Sequence, residues 1–371
     1  MTDPKLGRHS PYPPGPTMFN LEDVNDVIPI REDEAFDVDS FGSWASGQAG
    51  LPSSRPAVNQ FSNGKANLTY LLTYPDGTEL VLRRPPLGPV AEGSHDMSRE
   101  YRVLSRLWQS FPLAPRALAI CVDESVIGSQ FVVMERLPGI VVRDFVPDVF
   151  GGGTDTDANR KLSEVVIDTL ALLHSVDPAS CDLEDLGHPD GFLVRQVQGW
   201  ARRWDAARDG PNQSADDVAG WLASRIPESP APTLIHNDWR LDNMAVSPDD
   251  PGRCAAVYDW DMATRGDPFA DLGTLMATWY DEGEAPSSLN PMPTDAPGWM
   301  GRASALQRYA DRSGRDLSEI DWYVVFGTWK LGVILQQIYI RWLRGQTSDD
   351  RFEVLGVGAA RLFDLAASRR P

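Results

Sequence analysis

The most constraining feature of the sequence is a polar loop enclosed by apolar residues and followed by a second acidic turn. The loop has the spacing His236-x-Asp238-x-x-x-x-Asn243, and a short apolar stretch at residues 255–257 leads into Asp259. Phosphoryl transfer needs a carboxylate that orients and deprotonates the accepting hydroxyl, and hard oxygen ligands for Mg²⁺. Asp238 suits the first task. One loop and one strand end could bring Asn243 and Asp259 to the same metal.

The same two segments resemble the catalytic and metal-binding loops of the aminoglycoside phosphotransferase family, a branch of the protein-kinase-like superfamily. The resemblance implies that Asp238 is the catalytic base and that Asn243 and Asp259 are the Mg²⁺ ligands. It makes His236 a structural anchor of the loop and places Arg240 beside the transferring phosphate. Taken alone, Asp238 has a simpler interpretation as a turn or helix-capping residue, and only the whole set in order favours kinase chemistry.

Two more acidic residues after the loop match the family. Asp261 falls where the family often has a further acid, which makes it an additional metal or substrate candidate. Asp271 lies in the matching segment 266–272, and we expect it to brace the catalytic loop rather than touch substrate. His174, in residues 170–174, also resembles a family position, and we expect it to be a structural histidine with satisfied hydrogen bonds.

The segments before the loop predict an α+β, two-lobed protein-kinase-like fold. The predicted strands are residues 57–61, 68–74, 79–83, 117–122 and 130–134. Residues 98–108 have the apolar spacing of a helix packed on that antiparallel sheet. We expect an extended or partly disordered arm at residues 1–36, a small antiparallel-sheet N-lobe at residues 37–136, and a larger, mainly helical C-lobe at residues 137–371. The C-lobe includes a long apolar helix at residues 318–344.

ATP binding by this fold requires a turn over the phosphates, a cation for the α- and β-phosphates, and an acid that holds the cation. The candidates in the turn are Ser62, Asn63, Gly64 and Asn67. This turn lacks the repeated glycines of protein kinases. Arg83 stands where the strand lysine of kinases is expected, and Glu100 stands at the position of the family's partner carboxylate. An exposed helix charge is the equal alternative for Glu100.

Residues 134–137 match the hinge of the family, where adenine would meet backbone groups of Glu135 and Leu137. The proline-rich segment 286–297 is predicted to be a surface insertion near the mouth of the site. Acceptor specificity would depend on such loops and on the inner face of the helix at residues 318–344.

Composition excludes several partners. The 34 basic and 53 acidic residues give a net charge of −19, which repels nucleic acid. This charge could steer a cationic acceptor, or it could simply belong to an acidic protein surface. Three cysteines without a CxxC pair indicate neither a disulfide framework nor a thiolate zinc site. No run of about 20 apolar residues is present, so we expect a cytoplasmic protein with no membrane partner.

The favoured function is an ATP- and Mg²⁺-dependent phosphotransferase acting on a small-molecule hydroxyl, either aminoglycoside-like or a hydroxylated metabolite. Residues 64–70 and 82–86 are most similar to the kinase-like domains fused to acyl-CoA dehydrogenases. One alternative is a nucleotide-binding pseudokinase that acts as a sensor or binds a partner. A protein kinase is disfavoured, because no activation segment of that kind fits between Asp259 and residues 266–268. The sequence leaves the oligomeric state open.

Overall fold

The computed structural model describes residues 27–62, 67–87, 96–281, 284, 292–347 and 349–371. An antiparallel sheet with helices on its faces precedes a mainly helical part, which confirms the predicted two-lobed kinase-like fold. The strands are β1 (Val27–Pro29), β2 (Ala57–Phe61), β3 (Leu68–Thr73), β4 (Glu79–Arg84), β5 (Ala117–Cys121), β6 (Phe131–Glu135), β7 (Ile140–Val141), β8 (Thr233–Ile235), β9 (Met244–Ser247), β10 (Asp250–Val257) and β11 (Thr264–Gly266). The helices are α1 (Val38–Ala45), α2 (Met97–Leu107), α3 (Thr156–His174), α4 (Phe192–Ala207), α5 (Gln213–Ser224), α6 (Pro268–Ala277), α7 (Arg302–Ser313), α8 (Ile320–Leu343) and α9 (Leu355–Ser368).

The N-lobe sheet has the strand order β1-β2-β3-β4-β6-β5, and each pair of neighbours is antiparallel. A tight turn joins β3 to β4. Gly77 has a φ of 86° there, and the Asp76 side chain accepts a hydrogen bond from the Thr78 backbone N–H. Because a positive φ favours glycine, the Asp-Gly pair fixes this turn and with it the pairing of Thr73 with Glu79.

The side chains of β4 alternate between the two faces of the sheet. Leu82 packs with Phe41 of α1 in one apolar cluster. Val81 packs against the larger cluster that includes α2. Since successive strand residues point to opposite faces, Arg83 shares the α2 side with Val81, and Arg84 shares the α1 side with Leu82. The pleat therefore sends Arg83, and not its neighbour, toward the cleft between the lobes.

The N-lobe begins upstream of the predicted boundary at residue 37. Strand β1 pairs with β2, and the hydroxyl of Tyr70 and the guanidinium of Arg84 both donate to the Glu34 carbonyl at 2.6 Å. Edge pairing and these two hydrogen bonds therefore attach residues 27–36 of the predicted arm to the sheet. Residues 1–26 lie outside the described residues.

The C-lobe is built around α8, which confirms the predicted long helix. Trp329 and Val333 of α8 are fully buried. Helix α6 crosses α8 where Gly273 and Gly327 meet, and a Cβ on Gly327 would overlap the backbone carbonyl of Gly273. The two helices can approach this closely because neither has a side chain at the crossing. In the part of the chain that the structure describes, no helix is long and apolar enough to span a membrane.

Two small C-lobe sheets, β10-β9-β7 and β11-β8, position the polar loops. The loop with Asp238 connects β8 to β9, and Asp259 follows β10. Val257 at the end of β10 pairs with Met244 at the start of β9. This register places the residue before Met244, Asn243, next to the turn that contains Asp259.

Candidate active site

Asp271 of α6 holds the start of the catalytic loop. Its carboxylate accepts hydrogen bonds from the backbone N–H groups of His236 and Asn237, each at 2.7 Å. Asn237 has a φ of 67°, a left-handed conformation that costs energy for a residue with a side chain. The buried carboxylate offsets this cost by satisfying both N–H groups. The prediction that Asp271 braces the loop is confirmed.

Two histidines complete the support of this loop. The His236 ring lies 2.8 Å from the Tyr258 carbonyl through Nε2, and its Nδ1 accepts from the Asp238 N–H at 3.3 Å. His174 Nδ1 lies 2.7 Å from the Tyr309 hydroxyl, and its Nε2 lies 3.4 Å from Asp271. His236 thus ties the loop to the strand end before Asp259. Both histidines have the structural roles predicted for them.

Asn243 connects the candidate base to the candidate metal site. Its Nδ2 donates to the Asp238 backbone carbonyl and to Asp238 Oδ2, both at 2.8 Å. Because the amide nitrogen is engaged in this way, the Oδ1 of Asn243 is left as a possible metal ligand. The Tyr258 N–H donates to the Asn243 carbonyl at 2.8 Å, which places Asp259 one residue away.

Arg240 lies beside Asp238. Its Nε is 3.4 Å from Asp238 Oδ1, and a terminal nitrogen is 3.2 Å from Asp242 Oδ2. The Asp238 side chain is 36% exposed, so it can meet a substrate. A carboxylate and a cation therefore face the same open side of the loop.

Arg83 joins the two lobes by contacting Glu100 on α2 and Asp259 after β10. Glu100 is 1% exposed, so the exposed helix charge considered for it is wrong, because α2 turns this carboxylate into the interior. Burial raises the pKa of the Glu100 carboxyl to about 7, although Arg83 lowers it. Burial also opposes ionisation of Asp259, but the attraction and hydrogen bond of Arg83 keep its pKa below the ordinary value.

Of the four turn candidates, the structure describes Ser62 and Asn67. Asn63 and Gly64 lie outside the described residues. The Asn67 side chain donates to Asp261 Oδ2 at 3.1 Å, which links the turn to the acidic segment after Asp259. The Ser62 carbonyl accepts from Arg31 at 2.9 Å. Asn67 therefore lies at the cleft, and the Ser62 carbonyl faces the N-terminal segment.

The candidate hinge lies next to the catalytic segment. The Tyr258 hydroxyl donates to the Leu137 carbonyl at 2.6 Å. Glu135 ends β6, and its N–H donates to the Arg116 carbonyl at 2.9 Å. Of the backbone groups predicted to meet adenine, the carbonyl of Leu137 thus already accepts a hydrogen bond within the protein.

The order and geometry of these residues agree with a comparison against known families. The model of the phosphotransferase enzyme family, APH, matches residues 57–323. The chain belongs to this family. The match begins at β2 and ends within α8, so it extends over parts of both lobes and includes every candidate residue above.

Known relatives of this phosphotransferase-family chain include longer proteins. It is 33% identical over 310 residues to acyl-CoA dehydrogenase family member 11 of Gallus gallus, covering 80% of this chain and 38% of the relative. It is 29% identical over 347 residues to acyl-CoA dehydrogenase family member 10 of Mus musculus, covering 92% of this chain and 32% of that protein. The chain thus spans less than half the length of these relatives.

A solved structure shows the same fold. A protein of Ralstonia eutropha JMP134, provisionally assigned as an aminoglycoside phosphotransferase, superposes with a TM-score of 0.77 and 28% identity. The alignment covers 90% of this chain and 98% of the other. The resemblance to this family that the sequence indicates, including the similarity to proteins with acyl-CoA dehydrogenase names, is confirmed.

The residues of this family member fit a Mg²⁺ ion held partly by a nucleotide. Among the residues that the structure describes, no group of three or more His, Cys, Asp or Glu side chains could hold a metal. Asn243 and Asp259 instead offer one amide and one carboxylate. Mg²⁺ is commonly bound through one or two protein oxygens together with substrate phosphates, so this donor set suits it.

Sequence reasoning missed two residues near the loop. Tyr258 stands between β10 and Asp259, where the sequence gives it no role, and its hydroxyl reaches the hinge. Lys330 lies in the apolar helix α8 and is only 8% exposed. A single lysine inside a long apolar stretch was the available signal for the second, because burial of an ammonium group needs a reason.

The predicted insertion at residues 286–297 is not wholly a surface feature. Residues 286–291 lie outside the described residues, but Met292 and Thr294 are each 2% exposed. The Leu241 N–H of the catalytic loop donates to Met292 Sδ at 3.4 Å. The end of this segment is buried because it packs beneath the catalytic loop, which corrects that part of the prediction.

Proposed function

We propose that this protein is an ATP- and Mg²⁺-dependent phosphotransferase that moves the γ-phosphate of ATP to a hydroxyl of a small molecule. The observation that carries the proposal is a continuous set of contacts across the two lobes. Asp238 meets Asn243 in the loop, and Arg83 of the sheet meets Asp259 beside it. The residues proposed as the base, as the two oxygen ligands and as the phosphate-binding cation therefore lie in one cleft.

Asp238 would act as the base. Asn243 donates to its Oδ2, so its Oδ1 can accept the proton of the acceptor hydroxyl. The acceptor oxygen forms a bond to the γ-phosphorus, the bond to the β–γ bridging oxygen breaks, and ADP leaves. Arg240, 3.4 Å from Asp238, offers positive charge on the side where the phosphate passes.

Nucleotide binding would divide between the lobes. Arg83, held by Glu100, would contact the α- and β-phosphates. Asn243 and Asp259 would hold Mg²⁺, which when bound neutralises charge on the β- and γ-phosphates. Adenine would meet the hinge at Glu135 and at the N–H of Leu137. The turn candidates Ser62, Asn63, Gly64 and Asn67 would cover the phosphates.

The acceptor is either aminoglycoside-like or a hydroxylated metabolite. Relatives at about 30% identity have names from acyl-CoA metabolism, and these names support the metabolite. The alternative function is a nucleotide-binding pseudokinase that acts as a sensor or binds a partner. The Arg83–Asp259 contact gives this alternative some support, because the guanidinium occupies a carboxylate that Mg²⁺ would need.

Substitution of the base tests the proposal. Asp238→Asn should lower acceptor-dependent ADP release by roughly 10²- to 10⁴-fold, because the amide cannot take the proton. Affinity for ATP, measured by calorimetry, should change little. The matched control is Asp249→Asn, an exposed carboxylate in the β9–β10 turn. Unchanged ADP release in Asp238→Asn would refute the base assignment, and nucleotide binding without ADP release for any acceptor would favour the pseudokinase.

A further inference from the structure

The catalytic loop places three charged residues in alternation with two buried apolar ones. Trp239 and Leu241 are buried and belong to the C-lobe core. Asp238, Arg240 and Asp242 alternate with them, and their side chains are all partly exposed. Burial is favourable for apolar side chains and costly for charged ones. The three charges therefore share the open side of the loop.

Arg240 lies between the two acids. Its Nε is 3.4 Å from Asp238 Oδ1, and a terminal nitrogen is 3.2 Å from Asp242 Oδ2. Among the residues that the structure describes, the buried Nε of Arg240 has no hydrogen-bond partner. Coulomb attraction varies inversely with distance, so the two acids attract different nitrogens of this guanidinium with comparable strength. Neither acid holds the guanidinium alone.

Asp242 is an unusual acid, because only one of its oxygens has a close partner. Oδ2 meets Arg240, whereas Oδ1 is buried and forms no hydrogen bond within the described part of the chain. A buried polar atom without a partner costs free energy and calls for an explanation. The contact of Oδ2 indicates that the charge of Asp242 acts on Arg240.

The oxygen of the proposed base that is left for the acceptor lies next to the same guanidinium. Asn243 donates to Asp238 Oδ2, so Oδ1 is the oxygen that can receive the acceptor proton. Arginine and carboxylate groups favour a bidentate pair, in which two N–H groups bind both oxygens. Such a pair between Arg240 and Asp238 would occupy Oδ1. The attraction of Asp242 for another nitrogen of Arg240 opposes it.

We propose that Asp242 is a positioning residue that keeps the Arg240 guanidinium from pairing fully with the base and directs it at the transferring phosphate. This inference rests on the proposed phosphotransferase function and adds a residue that acts through Arg240 rather than on the substrate. The N–H groups of Arg240 that pair with neither acid then meet the phosphoryl oxygens, over which negative charge is spread in the transition state.

Aluminium fluoride tests the inference without a known acceptor, because together with MgADP it mimics the transferring phosphoryl group. Transition-state analogues bind more tightly than ground-state ligands. Calorimetry should therefore show tighter binding of MgADP to the wild type when aluminium fluoride is present. Asp242→Asn should lose roughly tenfold or more of this gain, as the loss of one charge-assisted hydrogen bond would give. Its affinity for MgADP alone should stay that of the wild type.

Further variants separate positioning from a structural role. Asp242→Glu retains the charge and should keep most of the gain. Arg240→Met should reduce the gain, and adding Asp242→Asn to it should cause no further loss, because both residues act through one guanidinium. Asp242→Ala, which also removes the unpaired oxygen, gives the same comparison where Asp242→Asn does not fold. The matched control is Asp249→Asn, at an exposed carboxylate of the β9–β10 turn.

The outcomes distinguish the inference from the function on which it rests. A full gain in Asp242→Asn, or a further loss when this change is added to Arg240→Met, would overturn the role of Asp242 and leave the phosphotransferase function intact. Failure of aluminium fluoride to tighten MgADP binding by the wild type would overturn both.

Discussion

At the scale of single residues, the feature of the site that differs most from the kinase pattern is Arg83, which stands where a lysine is expected. Separate nitrogens of Arg83 contact Glu100 and Asp259, so one side chain connects α2 to the proposed metal-binding turn. A lysine ammonium is a compact charge without this planar fork. The site is therefore adapted to arginine through the spacing of its two acids.

Arg83→Lys tests this adaptation. The shorter reach of a single ammonium should leave one acid without a close partner, so the KM for ATP should rise by roughly tenfold, with a smaller change in kcat. Steady-state kinetics and calorimetric titration with ATP measure the effect. Arg55→Lys, at an exposed ion pair with Asp39, is the control. Wild-type kinetics in Arg83→Lys would show that the fork has no role.

Some site residues were predictable because local spacing identifies them. Asp238, Asn243 and Asp271 lie in short segments whose order is typical of the family, and in the structure each forms hydrogen bonds within the loop or with its backbone. The neighbourhood of Lys330 depends on α4, α6 and α8 meeting. The spacing of residues along one sequence does not show which helices pack against one another.

At the scale of elements, α6 supports the catalytic loop through Asp271, and α3 contacts Asp271 through His174. Helix α6 is held against α8 by the Gly273–Gly327 contact, and His174 at the end of α3 lies between Asp271 and Tyr309. The apolar periodicity predicted α8, but the close crossing depended on two glycines in different helices. The loop geometry is thus set by packing between helices distant in sequence.

His174 should make the stability of the protein depend on pH. Burial lowers the pKa of His174 below its ordinary 6.5, even though Asp271 raises it and Arg315 lowers it further. The unfolded chain therefore takes up this proton at higher pH than the native protein, so the free energy of unfolding should fall as pH decreases below 6.5. The slope is at most about 1.4 kcal/mol per pH unit.

Urea unfolding of His174→Gln between about pH 5.5 and 7.5 measures this contribution. The variant should be less stable than wild type near neutral pH, and the difference should shrink as the solution becomes more acidic. His188→Gln, at an exposed position, should keep the wild-type pH dependence. A difference that stays constant with pH would contradict a neutral, buried His174.

At the scale of the whole molecule, two lobes bring separate parts of one site together. The α+β architecture and most strands were predictable, because alternating and helical patterns are local. The start of the N-lobe could not be predicted from local patterns. Strand β1 has three residues and joins the sheet through β2, which lies beyond α1 in the sequence. Such short edge pairing depends on distant partners.

The dependence of nucleotide binding on Mg²⁺ tests most directly whether the lobes form a phosphotransferase site. In calorimetric titrations, Mg²⁺ should raise the ATP affinity of the wild type by about tenfold or more, and of the Asp249→Asn control equally. Asp259→Asn should lose this gain while still binding metal-free ATP through Arg83. If Mg²⁺ left the wild-type affinity unchanged, or if Asp259→Asn responded to Mg²⁺ as fully as the wild type, Asp259 would not be a metal ligand and the proposed site would be wrong.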